Sequence, residues 1–568
     1  MSPASSNRRQ VLLAALLSAA LLICGPGVAA QQAGGAAIAS AHPLATAAGH
    51  EILKQGGNAF DAAVAVAAAL AVVEPYSSGL GGGGFWLLHR ARDGFEVMVD
   101  GRETAPRQAV REIFLDASGK PGNAAIAESG KAAAIPGTPA ALAHVARTYG
   151  RLPLAASLAP AIRYAREGFP ADPRYVRIAT LRERRLQSHP DTARIFLVDG
   201  RAPMAGHVLR QPELGGTLAQ LAAAGAGGFY DGAVARALVE SVNGNGGVWQ
   251  LSDLAEYRVV ERAPVRFQYR GATITAAALP SAGGIALAQT LNMLERYTPG
   301  DARAPGAAHY VIEAMRRAFH DRARFLGDPD FVPVPVDRLV SKDYARRRAA
   351  GINPASATPS DALGEERIAL PGSFNTTHLS VIDADGNRVA ATLTVNWLFG
   401  SGIVAGTTGV LLNNEMDDFS FDPDVPNSYR LHGSHANAVA PGKRPLSSMT
   451  PAFVEDSKGV LVLGAPGGPR IVSQVLLAIL DYLETSQGSL DLERIVRAPR
   501  YHHQWWPDRV EIEPGAFPPE WRAALEAMGH RLQPTGRAWG NMQLVFKSKA
   551  TGIAQSANDP RGEDVGWY

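Results

Sequence analysis

One β-hairpin pattern restricts the fold of this chain more than any other feature of its sequence. Residues 378–395 read HLSVIDADGNRVAATLTV, in which two runs of alternating apolar and polar residues flank Asp-Ala-Asp-Gly-Asn. Such a turn between alternating runs is typical of a β-hairpin. A hairpin centred on Asp385 places Thr376 opposite Thr394, and a shift by one residue would set polar side chains opposite Leu and Val. The sequence therefore predicts two paired strands with two threonines at their open end.

Polar side chains share one face of each predicted strand. They are Thr376, His378 and Ser380 on the first strand and Thr392, Thr394 and Asn396 on the second. A hydrogen bond between two threonines across a hairpin can be purely structural, since cross-strand Thr pairs stabilise many sheets. The pattern alone leaves a structural and a chemical role for Thr376 open.

Thr376 gains a chemical role if the peptide bond before it is cut. A free α-amine has a pKa of about 8, roughly 2 units below that of lysine. The amine of an N-terminal threonine can therefore accept the proton of its own hydroxyl near neutral pH. An uncut peptide nitrogen cannot do this, so a precursor would be inactive. Residues 351–373 are rich in Pro, Ser and Gly, and they predict the flexible loop that a self-cleaving chain requires.

Composition sets the class of protein without setting its function. The 568 residues could form several domains or one large α/β unit. An apolar content of 46% with 19% charged residues is typical of a globular protein. With 55 basic and 53 acidic residues the net charge is only +2, and no basic run is interleaved with aromatic residues. Composition thus gives no indication of nucleic-acid binding.

The first thirty residues have the pattern of an export signal. Arg8 and Arg9 precede an apolar core from Val11 to Ile23, and small residues before position 31 predict cleavage after Ala30. An apolar core this short does not suit a membrane span. The single cysteine of the chain is Cys24, so the mature protein would have neither a disulfide nor thiol catalysis. We expect a periplasmic or secreted protein, exported by the general secretory route or by the twin-arginine route.

Helical and strand-like patterns alternate along the rest of the chain without a fixed repeat. This mixture predicts a layered α/β or α+β body. Residues 60–75 read as a buried helix that is too short to span a membrane. The GLGGGG run at 79–84 matches a dinucleotide-binding fingerprint in form, but a strand-like run follows it where that motif needs a helix. The pairs His432/His435 and His502/His503 have metal-like spacing, yet no Cys or carboxylate pattern accompanies them, which favours hydrogen-bonding histidines.

Seven motifs, in order, resemble those of the γ-glutamyltranspeptidases. They are DGRETAPRQA, GTPAALAHVARTYGRLPL, NTTHLSVID, LLNNEMDDF, KRPLSSMTP, GAPGGPRI and APRYHHQWW. The similarity covers nearly all of residues 35–568, although WGNMQLV near the C-terminus is less typical. The resemblance implies an α/β (α+β) fold of the N-terminal-nucleophile hydrolase type, a four-layer αββα sandwich. After the predicted signal peptide (1–30), it also implies a large subunit (31–375) and a small catalytic subunit (376–568). The two subunits arise by self-cleavage and remain associated as one unit.

The same resemblance implies roles for individual residues. It places the cleavage site between Asn375 and Thr376 and makes Thr376 the nucleophile. The other implied catalytic groups are Thr394, which bonds the nucleophile, and the backbone N–H groups of Gly467 and Gly468, which bind the oxyanion. The implied substrate-binding residues are Arg102, Ser447 and Ser448 for the α-carboxylate, Asn396, Glu415 and Asp418 for the α-ammonium, and Tyr429 in a covering loop.

The implied reaction needs no metal and no organic cofactor. Donors would be glutathione and other γ-glutamyl compounds, and acceptors would be water, amino acids or dipeptides. Two alternatives remain: a cephalosporin acylase acting on glutaryl side chains, and an inactive γ-glutamyl-binding protein. Glu415 and Asp418 argue against the acylase, because two neighbouring carboxylates without a substrate cation would repel each other. The retention of Thr376 and both glycines argues against the inactive protein. The sequence does not decide between hydrolysis and transfer, nor the preferred donor and acceptor, nor the assembly of the heterodimer.

Overall fold

The computed structural model describes residues 35–115, 126–297, 300–364, 375–421, 434–486 and 490–564. The predicted signal peptide, Tyr429 and His432 lie outside the described residues. The β-strands are Ala37–Ser40 (β1), Gly83–Arg90 (β2), Phe95–Gly101 (β3), Phe169–Pro170 (β4), Val208–Leu209 (β5), Val260–Arg262 (β6), Val265–Tyr269 (β7), Ala272–Ala276 (β8), Thr377–Ile382 (β9), Arg388–Thr394 (β10), Ala452–Glu455 (β11), Gly459–Gly464 (β12), Tyr501–His502 (β13), Val510–Ile512 (β14), Leu532–Pro534 (β15), Gln543–Ser548 (β16) and Ala554–Asn558 (β17).

Helices surround these strands. The α-helices are Pro43–Lys54 (α1), Ala59–Val73 (α2), Thr138–Tyr149 (α3), Leu154–Glu167 (α4), Pro173–Gln187 (α5), Pro190–Phe196 (α6), Pro212–Ala224 (α7), Gly227–Tyr230 (α8), Gly232–Gly244 (α9), Leu251–Ala255 (α10), Gly283–Leu294 (α11), Pro305–Phe325 (α12), Val336–Leu339 (α13), Lys342–Ala350 (α14), Arg470–Glu484 (α15), Leu492–Arg497 (α16), Pro519–Ala527 (α17) and Arg561–Asp564 (α18). Short 3₁₀ turns cover Arg111–Phe114, Gly130–Ala132, Ser360–Leu363, Gly406–Thr408, Glu415–Asp418 and His435–Asn437. None of the helices in the described ranges is both long and apolar enough to cross a membrane.

Two six-stranded sheets face each other in the centre of the molecule. One has the strand order β1-β9-β10-β2-β3-β6 and the other β17-β16-β12-β11-β8-β7. Strands β9 and β10 contact β12 and β16 across the interface. Helices α1, α2 and α3 cover the outer face of the first sheet, and α11, α15 and α16 cover the outer face of the second. The four layers confirm the predicted αββα sandwich.

Successive side chains of β9 point to opposite faces of its sheet, so this strand contributes to two separate hydrophobic cores. Leu379 and Val381 pack outward with the residues of α2, and Ile382 packs inward between the sheets. Helix α2 is buried along its whole length, and its start is fixed by a capping box in which the Asn58 side chain and the Asp61 carboxylate each accept a backbone N–H. An apolar helix on one face and a second sheet on the other leave β9 no freedom to slip by one residue.

The two predicted subunits interleave within both sheets. In the first sheet, β9 and β10 follow Thr376 in the sequence but lie between β1 and β2, which precede it. In the second sheet, β8 pairs with β11 although residue 376 separates them along the chain. A cut before Thr376 would therefore leave two pieces that share two hydrogen-bonded sheets.

Candidate active site

The predicted hairpin register is confirmed. His378 is paired with Thr392 and Thr377 with Leu393, which brings Thr376 beside Thr394 at the open end of the hairpin. The hydroxyl of Thr376 donates a hydrogen bond to the carbonyl oxygen of Asn375, and the hydroxyl of Thr394 donates to the same oxygen over 3.1 Å. The carbonyl that belongs to the predicted cleavage bond thus accepts two hydroxyl protons.

Neighbouring groups hold both sides of this bond in place. The side-chain amide of Asn375 donates to the carbonyl oxygen of Tyr76, and its Oδ1 accepts from the hydroxyl of Ser77 over 3.1 Å. The N–H of Asn396 donates to Thr394 Oγ1 over 2.8 Å. Because that oxygen accepts from a fixed N–H, its own proton is directed toward Asn375.

His378 is the histidine nearest to Thr376 in the sequence, yet it is not placed to act as its base. Nδ1 lies 2.8 Å from Thr392 Oγ1 and Nε2 lies 3.1 Å from Ser380 Oγ, so both ring nitrogens have partners. Burial between the two sheets lowers the pKa of His378 to about 3. An imidazole whose two nitrogens are both hydrogen-bonded is not available to take the proton of Thr376. The α-amine of a cut chain is then left as the base.

Gly467 and Gly468 form the turn between β12 and α15. Their φ angles of 126° and 58° lie in the region that favours glycine. The carbonyls of both glycines accept from the first N–H groups of α15, from Arg470 and Ile471. Gly468 lines the same cavity as Thr376, so the strand-to-helix turn and the nucleophile face one space.

That space, called here the Thr376 cavity, has a volume of about 20 Å³. Its walls are formed by Arg102, Arg322, Thr376, Thr394, Glu415, Asp418, Leu446, Ser447, Ser448, Met449, Gly468, Pro469 and Ile471. A volume of this size holds about one water molecule. A glutamyl group therefore needs side chains of the wall to move before it can enter.

Arg102 joins the two carboxylates that were predicted to bind a substrate ammonium. It is buried, and it donates through Nη1 to Glu415 and through Nη2 to Asp418 Oδ2 over 2.6 Å. Burial alone would lower the pKa of Arg102, but the Glu415, Asp418 and Glu103 carboxylates outweigh burial and raise it. Glu415 and Asp418 therefore do not require a cation from the substrate, contrary to the expectation from the sequence, because Arg102 supplies one.

Glu103 adds a third acidic group beside this ion pair. Its carboxylate lies 3.6 Å from Arg102 Nη1, and burial raises its pKa to about 7. A carboxyl with this pKa is partly protonated at neutral pH, so Glu103 adds less negative charge to the cluster than an exposed glutamate would.

Ser447 and Ser448 both line the Thr376 cavity, and the hydroxyl oxygen of each accepts from an N–H group. Ser447 Oγ accepts from the N–H of Met449 over 3.1 Å, and Ser448 Oγ accepts from Arg322 Nη2 over 3.0 Å. A hydroxyl that accepts from an N–H still has its own proton to donate. Two such hydroxyls in one wall suit an anionic group of a ligand.

The structure brings most of the predicted site residues together, but not all of them. In the part of the chain that is described, Asn396 and Gly467 do not line the cavity. The Asn396 side chain donates to the carbonyl oxygen of Asn414 over 2.9 Å, while its backbone N–H orients Thr394. Arg322 was missed by sequence reasoning. The sequence contains no signal for it, because Arg322 lies in a charged run, His320 to Arg324, that does not indicate which side chain each residue contacts.

Of the two histidine pairs with metal-like spacing, His502 and His503 both lie in the described part of the chain, and both contact hydrogen-bonding side chains there. His502 lies near Ser473 and Gln504, and His503 lies 3.3 Å from Asp508. Within the described ranges no group of three or more His, Cys, Asp or Glu side chains could hold a metal ion. These histidines are hydrogen-bonded residues of the small β13–β14–β15 sheet region.

Two facing sheets with a threonine at the start of an inner strand define an N-terminal-nucleophile hydrolase. Comparison with protein families extends this result, because residues 45–567 match the gamma-glutamyltranspeptidase family. The chain belongs to the gamma-glutamyltranspeptidase family.

Individual relatives fall into two groups. The glutathione hydrolase proenzyme of Escherichia coli (strain K12) is 41% identical over 534 residues, which cover 93% of this chain and 90% of the relative. The acylase ACY 1 proenzyme of Pseudomonas sp. (strain V22) is 37% identical and covers 89% and 88% of the two chains. Among solved structures, the cephalosporin acylase from Bacillus halodurans has a TM-score of 0.80 at 30% identity, covering 94% of this chain and 97% of the other. The family therefore includes relatives named for different substrates.

Proposed function

We propose that this protein is a self-cleaving γ-glutamyltransferase and glutathione hydrolase. The observation that carries the proposal is the position of Thr376. Its hydroxyl lies against the carbonyl of the preceding bond and in the wall of a cavity with two guanidinium groups and two carboxylates. The zwitterionic end of a γ-glutamyl group, with one carboxylate and one ammonium, matches these charges. The glutathione hydrolase proenzymes among the relatives support the choice of donor.

Self-cleavage begins at the bond between Asn375 and Thr376. Thr376 Oγ1 adds to the carbonyl carbon of Asn375, the C–N bond breaks, and the hydroxyl proton passes to the released nitrogen. The resulting ester is hydrolysed by water, which gives a carboxylate on Asn375 and a free α-amine on Thr376. During the first addition the Asn375 oxygen becomes an oxyanion, and Thr394 already donates to that oxygen.

Replacing Thr394 by valine should slow self-cleavage about 100-fold, as loss of one oxyanion donor does in other hydrolases. Valine keeps the volume of threonine and removes only the hydroxyl. The rate is measured from the loss of the full-length band on denaturing gels after a purified, uncut sample is warmed. Thr290→Val is the matched control, because that buried hydroxyl bonds the carbonyl of Ala286 inside α11. Equal cleavage rates for Thr394→Val and the control would contradict the role of Thr394.

Transfer uses the same threonine after the cut. The α-amine of Thr376 takes the proton of Oγ1, and Oγ1 adds to the γ-carbonyl carbon of the donor. We assign the developing oxyanion to the N–H groups of Gly467 and Gly468, in the turn that leads into α15. The leaving amine takes up the proton, and water or an amino-acid amine then releases the glutamyl group from the ester.

The charged wall of the cavity would hold the free end of the donor. Arg102, Ser447 and Ser448 face the α-carboxylate in this proposal, and Glu415 and Asp418 face the α-ammonium. The donor would enter between Arg102 and its two carboxylate partners, so that substrate charges replace part of the internal ion pair. This exchange preserves charge balance, since a zwitterion adds no net charge to a buried site.

Product analysis with glutathione tests the proposed function. The purified, self-cleaved enzyme is expected to release glutamate from glutathione, and a dipeptide acceptor is expected to yield a γ-glutamyl tripeptide. Chromatography of the amino acids resolves both products. The Thr376→Ala chain serves as the blank for non-enzymatic release.

A glutaryl acylase is the second candidate function. Arg102 already supplies a cation to Glu415 and Asp418, so a donor without an ammonium group could be accepted. Turnover of glutaryl amides without turnover of glutathione would favour this candidate over the first.

We also propose that the two pieces remain a heterodimer and that the precursor is exported. The support for association is that both central sheets contain strands from each piece. The support for export is the basic and apolar pattern of residues 1–30. Fragment masses test both points, because the large piece should begin at Gln31 and the small piece at Thr376, and both should elute together in native buffer.

A further inference from the structure

Arg322 is a second guanidinium in the Thr376 cavity, and it differs from Arg102 in its partners. It lies near the end of α12, is 3% exposed, and donates through Nη2 to Ser448 Oγ over 3.0 Å. Its Nε is buried without a hydrogen-bond partner. Among the described residues Arg322 forms no ion pair, whereas the nitrogens of Arg102 donate to Glu415, Asp418 and the carbonyl of Pro445. The Asp418 carboxylate raises the pKa of Arg322, but burial outweighs it. A buried cation without a direct ion pair is costly to a fold, which makes its presence at the cavity informative.

The hydrogen bond from Arg322 makes the Ser448 hydroxyl an acceptor in this contact. Guanidinium groups have only donors, so Ser448 Oγ must accept in this contact. The serine proton is then free for another acceptor, and Ser448 lines the cavity. A hydroxyl that accepts from a cation is also a stronger donor, because hydrogen bonds in series polarise one another. Arg322 thus prepares Ser448 to donate to an anion inside the cavity.

We propose that Arg322 is a positioning residue that sets the preference for donors with a free carboxylate, acting through Ser448. The proposal rests on the proposed transfer of an acyl group from the donor to Thr376. Burial lowers the pKa of Arg322 to about 10, which leaves the guanidinium charged at neutral pH. The positive charge and the oriented hydroxyl together favour an anionic end group over a neutral or cationic one.

Three anilide donors separate this role from a general effect. The γ-glutamyl anilide has a carboxylate and an ammonium, the glutaryl anilide has only the carboxylate, and the 4-aminobutyryl anilide has only the ammonium. In Arg322→Met we expect KM to rise about 10- to 100-fold for the first two donors, the range typical of one charged hydrogen bond. We expect kcat to change little, and both constants for 4-aminobutyryl anilide to stay within about twofold of the wild type.

Two further variants make the expected result specific. Arg322→Lys should restore part of the lost affinity, because an ammonium can still donate to Ser448. In an enzyme that already has Ser448→Ala, the Arg322→Met change should raise KM for γ-glutamyl anilide by less than about threefold, since the two residues act as one unit. Arg324→Lys is the matched control on the same helix, where the side chain is exposed, and it should leave all constants unchanged.

Each outcome decides between the proposal and its alternatives. If Arg322→Met and Arg322→Lys lower turnover of all three donors by the same factor, Arg322 only supports the fold and the proposal is wrong. If the KM effects of Arg322→Met and Ser448→Ala multiply independently, action through Ser448 is wrong. A wild type that turns over the glutaryl but not the γ-glutamyl donor would contradict the proposed function and not the role of Arg322. The carboxylate preference set by Arg322 would then be measured by comparing the glutaryl and 4-aminobutyryl donors.

Discussion

Replacing Thr376 by alanine should leave one uncut chain with no measurable turnover of any donor. Alanine lacks the oxygen that adds to the carbonyl of Asn375, so the ester cannot form. The same oxygen is the acceptor of the glutamyl group in the mature enzyme, so both reactions are lost together. Loss of a nucleophile in hydrolases typically costs about 10⁶-fold in kcat, which places the variant below detection. The variant should still fold, because Thr376 contributes one methyl group and one hydroxyl to a long β-hairpin.

The matched variant is Thr376→Ser, which keeps the hydroxyl and removes one methyl group. It should cleave itself and retain activity, although more slowly, since the methyl group restricts the rotation of the side chain. Denaturing gels and intact mass spectrometry measure both variants. A small fragment that begins at any residue other than Thr376 in the wild type would contradict the assignment. Cleavage of the alanine variant would show that another group attacks the bond.

The sequence predicted the part of the site that depends on local pairing. Alternation on both sides of a five-residue turn leaves one register for the hairpin, so the contact between the ends of β9 and β10 follows from short-range rules. The layered fold followed from the family resemblance, and the strand and helix patterns agreed with it. The glycine turn at Gly467 and Gly468 could likewise be placed from a short motif, because its positive φ angles permit few other residues.

The pairing of charges could not be predicted in this way. Arg102 comes from the end of β3, and Glu415 and Asp418 come from a 3₁₀ turn more than three hundred residues later, so only the tertiary fold decides that they meet. The sequence assigned each group to a charge on the substrate. The structure shows that Arg102 pairs with both carboxylates within the protein. Arg322 was missed for the same reason, since nothing in α12 itself indicates contact with Ser448.

Replacing Asp418 by asparagine should separate the donors by their charge. Asparagine has nearly the same volume and removes one negative charge beside Arg102. We expect self-cleavage to be normal, because Asn375, Thr376 and Thr394 keep their contacts. Turnover of γ-glutamyl and 4-aminobutyryl anilides should fall about 10- to 100-fold, the effect of losing one charged hydrogen bond to the ammonium. Measured kcat/KM values for the three anilides provide the comparison.

Glutaryl anilide should behave differently, because it has no ammonium for Asp418 to bind. In the wild type Arg102 Nη2 donates to Asp418 over 2.6 Å, and the substitution weakens that bond by removing the charge of its acceptor. Arg102 is then more available to a carboxylate, so glutaryl turnover should stay level or rise. Asp417→Asn is the control, since Asp417 is the neighbouring carboxylate and is absent from the described wall of the cavity. An equal fall for all three donors in Asp418→Asn would contradict the ammonium role, while a wild type that already prefers glutaryl anilide would identify the acylase as the true function.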